Sequence, residues 1–204
     1  MPQSAIQPGF QDGARDMQAV FRTAMDAMAR PGRILPLQPR LTPPPPLSPC
    51  AAAVLLTLAD FDTPLWLGAA LAATRGVADY LRFHTGAKLV DDPAAAVFAI
   101  IADVEQLPPL PAFAQGTPEY PDRSTTLIIQ VEALSDRGWV FAGPGIDGRI
   151  GFGAQPLPHD FAAQFAANSQ AFPLGVDMIF AADNAIAALP RSARIVEGVS
   201  CMSR

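Results

Sequence analysis

Two proline-dense stretches set the outline of this chain. Residues 36–49 read PLQPRLTPPPPLSP, seven prolines in fourteen positions, and residues 108–121 read PPLPAFAQGTPEYP, five in fourteen. Proline fixes φ and has no backbone N–H, so neither stretch can be a helix interior or a central strand. The first fits polyproline II or a loop running along a sheet edge, and the second a long loop. They hold 12 of the 22 prolines, so the regular elements must be built from the sequence outside them.

That remaining sequence is unusually apolar. Half of the 204 residues are hydrophobic and 16% are charged, against about 25% charged in an ordinary soluble domain. Such a chain can bury enough surface to offset its ordering entropy, which excludes disorder, and its length supports one sizeable core in a single domain over residues 1–204. A net charge of −5 has the wrong sign for a nucleic-acid partner. The longest apolar runs, residues 50–59 and 94–102, are about half of the ~20 residues a membrane span needs. The start lacks a basic, then apolar, leader, and Cys50 and Cys201 make no disulfide framework, so the expected compartment is the cytoplasm.

Apolar spacing predicts a helix over 13–29, with Met17, Val20, Phe21, Ala24, Met25 and Met28 in helical register, Asp12 as N-cap and Pro31-Gly32 as the stop. A short strand is expected at 34–37. Ser48-Pro49 opens a helix running from 50 to about 58. Further on, the pattern predicts strands at 64–67, 95–102, 125–131, 139–142 and 176–181, with helices at 74–84 and 160–167. The strands at 125–131 and 139–142 are expected to be separated by a turn at SDRG, and 185–189 is a last short strand or helix. Strands interleaved with helices argue an α/β fold with a mixed β-sheet covered by helices.

Local chemistry is sparse. The segment VFAGPGIDGRIGFG (residues 140–153) has glycines that could cradle an anion, but it is neither GxxxxGK[ST] nor a GxGxxG opening a helix, and a structural turn is the favoured reading. His84 and His159 lie far apart without ligand-like neighbours, so no metal site is expected. Asp60 and Asp62 could act as acid and base or hold a cation, although Asp-Thr-Pro is also turn chemistry. Lys88 is the only lysine beside thirteen arginines and sits in a loop-like context, a poor Schiff-base candidate. Arg30, Arg33, Arg82, Arg191 and Arg194 suit planar contacts with carboxylate or phosphate, and fit a nearby nucleotide or phosphonate and inter-subunit ion pairs equally. The candidate catalytic residues are therefore Asp60, Asp62, Arg82 and His84, chosen for their position near strand ends.

Six blocks in order carry a resemblance: FRTAMDAMARPG (21–32), LLTLADFDTPLWL (55–67), LRFHTGAKLV (81–90), STTLIIQV (124–131), GPGI (143–146) and FPLGVDMIFAADNAIAALPRSARI (172–195). Together they resemble the PhnH family, subunits of the bacterial carbon–phosphorus lyase core complex. The resemblance implies a mixed α/β sandwich like the PLP-dependent transferase fold without its cofactor, and partnership with PhnG, PhnI and PhnJ subunits. It also implies a role in converting ATP and an alkylphosphonate to a ribose 1-phosphonate 5-triphosphate with loss of adenine, ATP being a substrate of the complex and no cofactor being held by this chain. A radical subunit cleaves the carbon–phosphorus bond afterwards. The family supplies no settled catalytic residue to transfer. This chain departs from its pattern in the two proline stretches, in PRSAR (190–194), where a PRTTR-like sequence is expected, and after Ile195. The residues alone leave two other readings open: a stand-alone nucleotide-binding α/β enzyme, and a scaffolding homodimer.

Overall fold

The strands β4 (Phe98–Ile101), β5 (Thr126–Gln130), β8 (Asp177–Ala181) and β9 (Ala185–Leu189) are nearly unbroken apolar runs. Such runs belong to a sheet covered on both faces. In the computed structural model, which describes residues 6–197, their side chains divide by alternation. Ala99, Ile101, Leu127, Ile129, Met178 and Phe180 enter one core, and Ile100, Ile128, Ile179 and Ala181 enter the other. Both sets are essentially inaccessible to solvent.

These strands form the centre of a seven-stranded mixed sheet ordered β1-β9-β8-β5-β4-β2-β3, completed by β1 (Leu35–Pro36), β2 (Leu65–Leu67) and β3 (Leu89–Val90). Strands β3, β2, β4, β5 and β8 are mutually parallel, in registers such as Phe98↔Thr126 and Thr126↔Asp177. Strand β9 runs against β8, and β1 against β9 through Leu35↔Ile186. Proline at β1 is tolerated because it is an edge strand.

Helices α1 (Gly13–Ala29), α2 (Pro49–Leu58) and α4 (Arg75–Thr85) supply the buried residues of one face, with the short α3 (Ala69–Ala72) leading into α4. Helix α1 is capped by Asp12, whose side chain accepts from Arg15 N–H, and α2 by Ser48, which accepts from Ala51 N–H. Helix α2 is apolar on all sides, and every residue from Cys50 to Leu56 is buried, the signature of a central core helix.

The other face differs from the expectation of a sheet covered by helices. It is closed by α5 (Phe161–Gln170) together with a three-stranded antiparallel sheet, β10 (Arg194–Glu197), β6 (Ala133–Ala142) and β7 (Ile150–Gln155), in the order β10-β6-β7. Between the layers Phe141, Phe152, Phe161, Phe165 and Phe180 interlock, for example Phe141 edge-on to Phe165 at 5.5 Å. The expected turn at SDRG is corrected here. Residues 135–138 lie inside β6, where the pairing jumps from Ser135↔Gly153 to Trp139↔Phe152, so the segment is a bulge. Its backbone folds over Gly151 and Gly153, where a Cβ would run into the carbonyls of Asp136 and Arg137.

The proline stretches are not simply exposed connections. Leu37, Leu41 and Leu47 of the first and Leu110 and Phe113 of the second are buried. Proline-rich backbone has few donors of its own, and glutamine side chains fasten it to the body. Gln130 at the end of β5 accepts from Ser48 N–H at 2.7 Å and donates to Pro46 O at 2.9 Å. Gln164 of α5 accepts from Leu110 N–H at 3.0 Å, while Gln115, itself within the second stretch, braces it internally by donating to Leu110 O and Phe113 O.

Candidate functional site

The four candidate residues fall on two segments that meet. Asp60 and Asp62 lie in the turn between α2 and β2, and Arg82 and His84 in the last turn of α4, whose C-cap is Gly86. A Cβ built on Gly86 would touch Phe61 at 3.6 Å, which brings the two segments side by side.

Each group already has local work. The Asp60 carboxylate accepts from Asp62 N–H at 3.0 Å and from the Thr63 hydroxyl at 3.1 Å, closing an Asx-type turn. His84 Nε2 lies 2.9 Å from Gln7 O, and its ring packs edge-on against Tyr80 and Phe83. Arg82 is exposed on the outer side of α4. Both segments precede β2 and β3, so they stand at the amino ends of the parallel strands. Open α/β sheets bind ligands at the opposite, carboxyl ends.

At that carboxyl edge the chain presents acid. Asp91 and Asp92 follow β3, Asp103 and Glu105 follow β4, Glu132 follows β5 and Asp183 follows β8. Asp92 and Asp103 cap short 3-10 turns through Ala94 N–H and Glu105 N–H. Arg75, downstream of β2, lies 3.4 Å from the carboxylate of Asp79. A phosphate-bearing ligand would meet repulsion along this edge.

Arg191 was singled out in sequence without its partners, and it is the centre of the densest polar network. Its guanidinium makes a two-pronged contact with Asp177, at 3.1 Å and 2.6 Å, and donates to Ser124 Oγ and to the carbonyls of Pro121 and Pro173. Both ionised side chains are largely buried. Every donor of this arginine faces an internal acceptor, so it serves the protein's own chain. Asp177 and Ser124 gave no local signal, because each is an isolated polar residue at the start of an apolar strand. Arg30 pairs with Asp26 at 3.1 Å, while Arg33 and Arg194 are exposed.

The glycine-rich segment is a hairpin loop between β6 and β7, in line with the structural reading. Gly145, at φ +81°, packs so closely on the end of α1 that a Cβ would strike Ala29 O. Lys88 is exposed just before β3, and His159 is exposed before α5. Cys50 is buried, with its thiol 3.1 Å from Leu37 O and 3.3 Å from Asp183 O. Burial first, and the nearby Asp183 carboxylate second, push that thiol up from about 9 to about 11, which makes it a core residue and a poor nucleophile. Cys201 lies outside the described residues. Among the described residues no group of three or more His, Cys, Asp and Glu side chains is placed to hold a metal ion, and no helix is long and apolar enough to cross a membrane.

Comparison with known proteins finds similarity over almost the whole chain. A relative from Rhizobium meliloti (strain 1021), named alpha-D-ribose 1-methylphosphonate 5-triphosphate synthase subunit PhnH, is 42% identical over 195 residues, covering 95% of this chain and 97% of its own length. The profile of the bacterial phosphonate metabolism protein PhnH matches residues 8–196, from before α1 to within β10. The chain belongs to the PhnH family of bacterial phosphonate metabolism proteins.

Proposed function

We propose that this chain is a subunit of an alpha-D-ribose 1-methylphosphonate 5-triphosphate synthase within a carbon–phosphorus lyase core complex. In that assembly ATP and an alkylphosphonate are joined, a phosphonate oxygen replacing adenine at the ribose, and a separate radical subunit later breaks the carbon–phosphorus bond. The partners are PhnG-, PhnI- and PhnJ-type subunits, in the cytoplasm, and the isolated chain can pair with itself. The observation that carries this reading is the near full-length identity to a protein named as a subunit of that synthase.

The chain's part is structural or co-catalytic, without independent turnover. Asp60 sits in its own turn, Arg191 is neutralised by Asp177, and the carboxyl edge of the parallel strands is acidic; all three observations support that role. The mixed seven-stranded sheet supports likeness to the PLP-dependent transferase fold, and the exposure of the sole lysine, Lys88, supports that likeness without the cofactor.

The test is co-expression of a tagged chain with the partner subunits, followed by an adenine-release assay on ATP and methylphosphonate. The expected outcome is a stoichiometric complex that releases adenine, and no release by the chain alone. Turnover by the isolated chain, or no complex, would overturn the proposal.

A further inference from the structure

Ten large hydrophobic side chains are exposed among the described residues. Five of them, Phe61, Phe83, Val97, Tyr120 and Phe172, lie on segments leading into the five parallel strands. The strand order β3-β2-β4-β5-β8 sets these five in a row, a rim along one edge of the sheet. Phe61 touches the α4 end at Gly86, Pro64 O accepts from Val97 N–H at 2.8 Å, and Val97 O accepts from Thr126 N–H at 2.9 Å. Arg191 then links Pro121 to Pro173. Single exposed hydrophobics are ordinary, whereas a contiguous row marks an interaction surface.

The rim is large and pre-arranged. Phe61, Phe83, Phe172 and Tyr120 are 75%, 67%, 60% and 52% exposed, which at roughly 200 Å² per aromatic side chain leaves about 500 Å² open. That is more than half of the roughly 800 Å² each partner contributes to a stable interface. The two carbonyls that Arg191 holds belong to the residues directly after Tyr120 and Phe172, at 2.8 Å and 3.3 Å. Arg123 lies over the Tyr120 ring at 4.2 Å. A buried ion pair thus fixes two loop tips whose aromatic rings face solvent, and anchors held before binding lose little entropy on binding.

We propose that this rim docks another subunit of the synthase, through an apolar socket with basic side chains around it that receives Tyr120 and Phe172. The inference rests on the subunit reading above. Charge decides between that occupant and a second copy of this chain. Asp60 and Asp62 flank Phe61, and Glu119 and Asp122 flank Tyr120. Arg191 is neutralised by Asp177, and Arg123 keeps its charge over the neutral Tyr120 ring, so Arg82, Lys88 and Arg123 stand against four carboxylates. Two copies meeting rim to rim would bring together net negative surfaces on chains that each carry −5, whereas a basic surround is complementary.

The experiment titrates the purified full chain into a complex of the other synthase subunits made without it. Tyr120→Ala and Phe172→Ala should each weaken binding about 30-fold, as aromatic anchors do, and the double variant should fail to co-purify. Its melting midpoint should match the unaltered chain, because both side chains are exposed. Phe21→Ser on the exposed side of α1 should bind normally. Undiminished binding by the double variant, with the unaltered chain bound, overturns the rim alone. Failure of the unaltered chain to bind overturns the subunit reading and the rim with it.

Discussion

Arg191 and Asp177 show how one residue pair can hold several elements. The aspartate opens β8, and the arginine follows β9 and reaches the loops before β5 and β8. A largely buried ion pair contributes little relative to a well-packed apolar pair, but losing one partner strands the other charge. Asp177→Ala should therefore lower the unfolding free energy by about 3 kcal/mol or more. Asp60→Ala, in an exposed turn, should cost under about 1 kcal/mol. Urea denaturation of both variants checks the contrast, and equal losses would contradict it. The same logic locates the limit of sequence reading at this scale. Arg191 stands out because it follows an apolar run, while Asp177 and Ser124 become meaningful only once β5 and β8 lie side by side.

The elements divide into those that carry their own signal and those that depend on a neighbour. Helix α1 was legible to its last residue, since its cap, its apolar period and its proline stop all lie within the segment. Helix α2 and strands β5 and β8 were legible for the same reason to within one residue at each end, while β4 starts three residues later than predicted and β9 was open between strand and helix. Strands β3 and β7 were not, because β3 is two residues long and β7 is built on glycines that show no alternation. The bulge in β6 imitates a turn, since SDRG has turn composition and its partner strand β7 is built on glycines that give no strand signal. Of the candidate site, turn chemistry at Asp60 was legible in the sequence, but not that its segment and that of Arg82 and His84 stand together at the amino edge of the sheet. At this scale the glutamine fastenings are testable. Gln130→Ala removes two bonds that hold the first proline stretch to β5, and should cost about 1–2 kcal/mol. Cleavage by a protease near residues 38–47 should also become faster, and unchanged cleavage would argue that the stretch is held by its buried leucines alone.

At the scale of the whole molecule, carboxylates flank both ends of the parallel strands, whereas the aromatic rim stands on the segments that precede them. The end at which α/β sheets usually bind ligands is therefore unfavourable to a triphosphate. The melting midpoint of the isolated chain should not move with ATP or methylphosphonate. A ligand at 100 times its dissociation constant adds about 2.7 kcal/mol, a shift that thermal denaturation resolves easily, and such a shift would point to a nucleotide site in this chain. The pairing of β1 with β9 has a further consequence, which concerns time. Leu35 leaves the ribosome long before Ile186, so this edge of the sheet cannot close until β9 has also emerged. Until then α1 can pack on α2 but lacks the strand it lies across, and that unpaired edge exposes the nascent chain to aggregation.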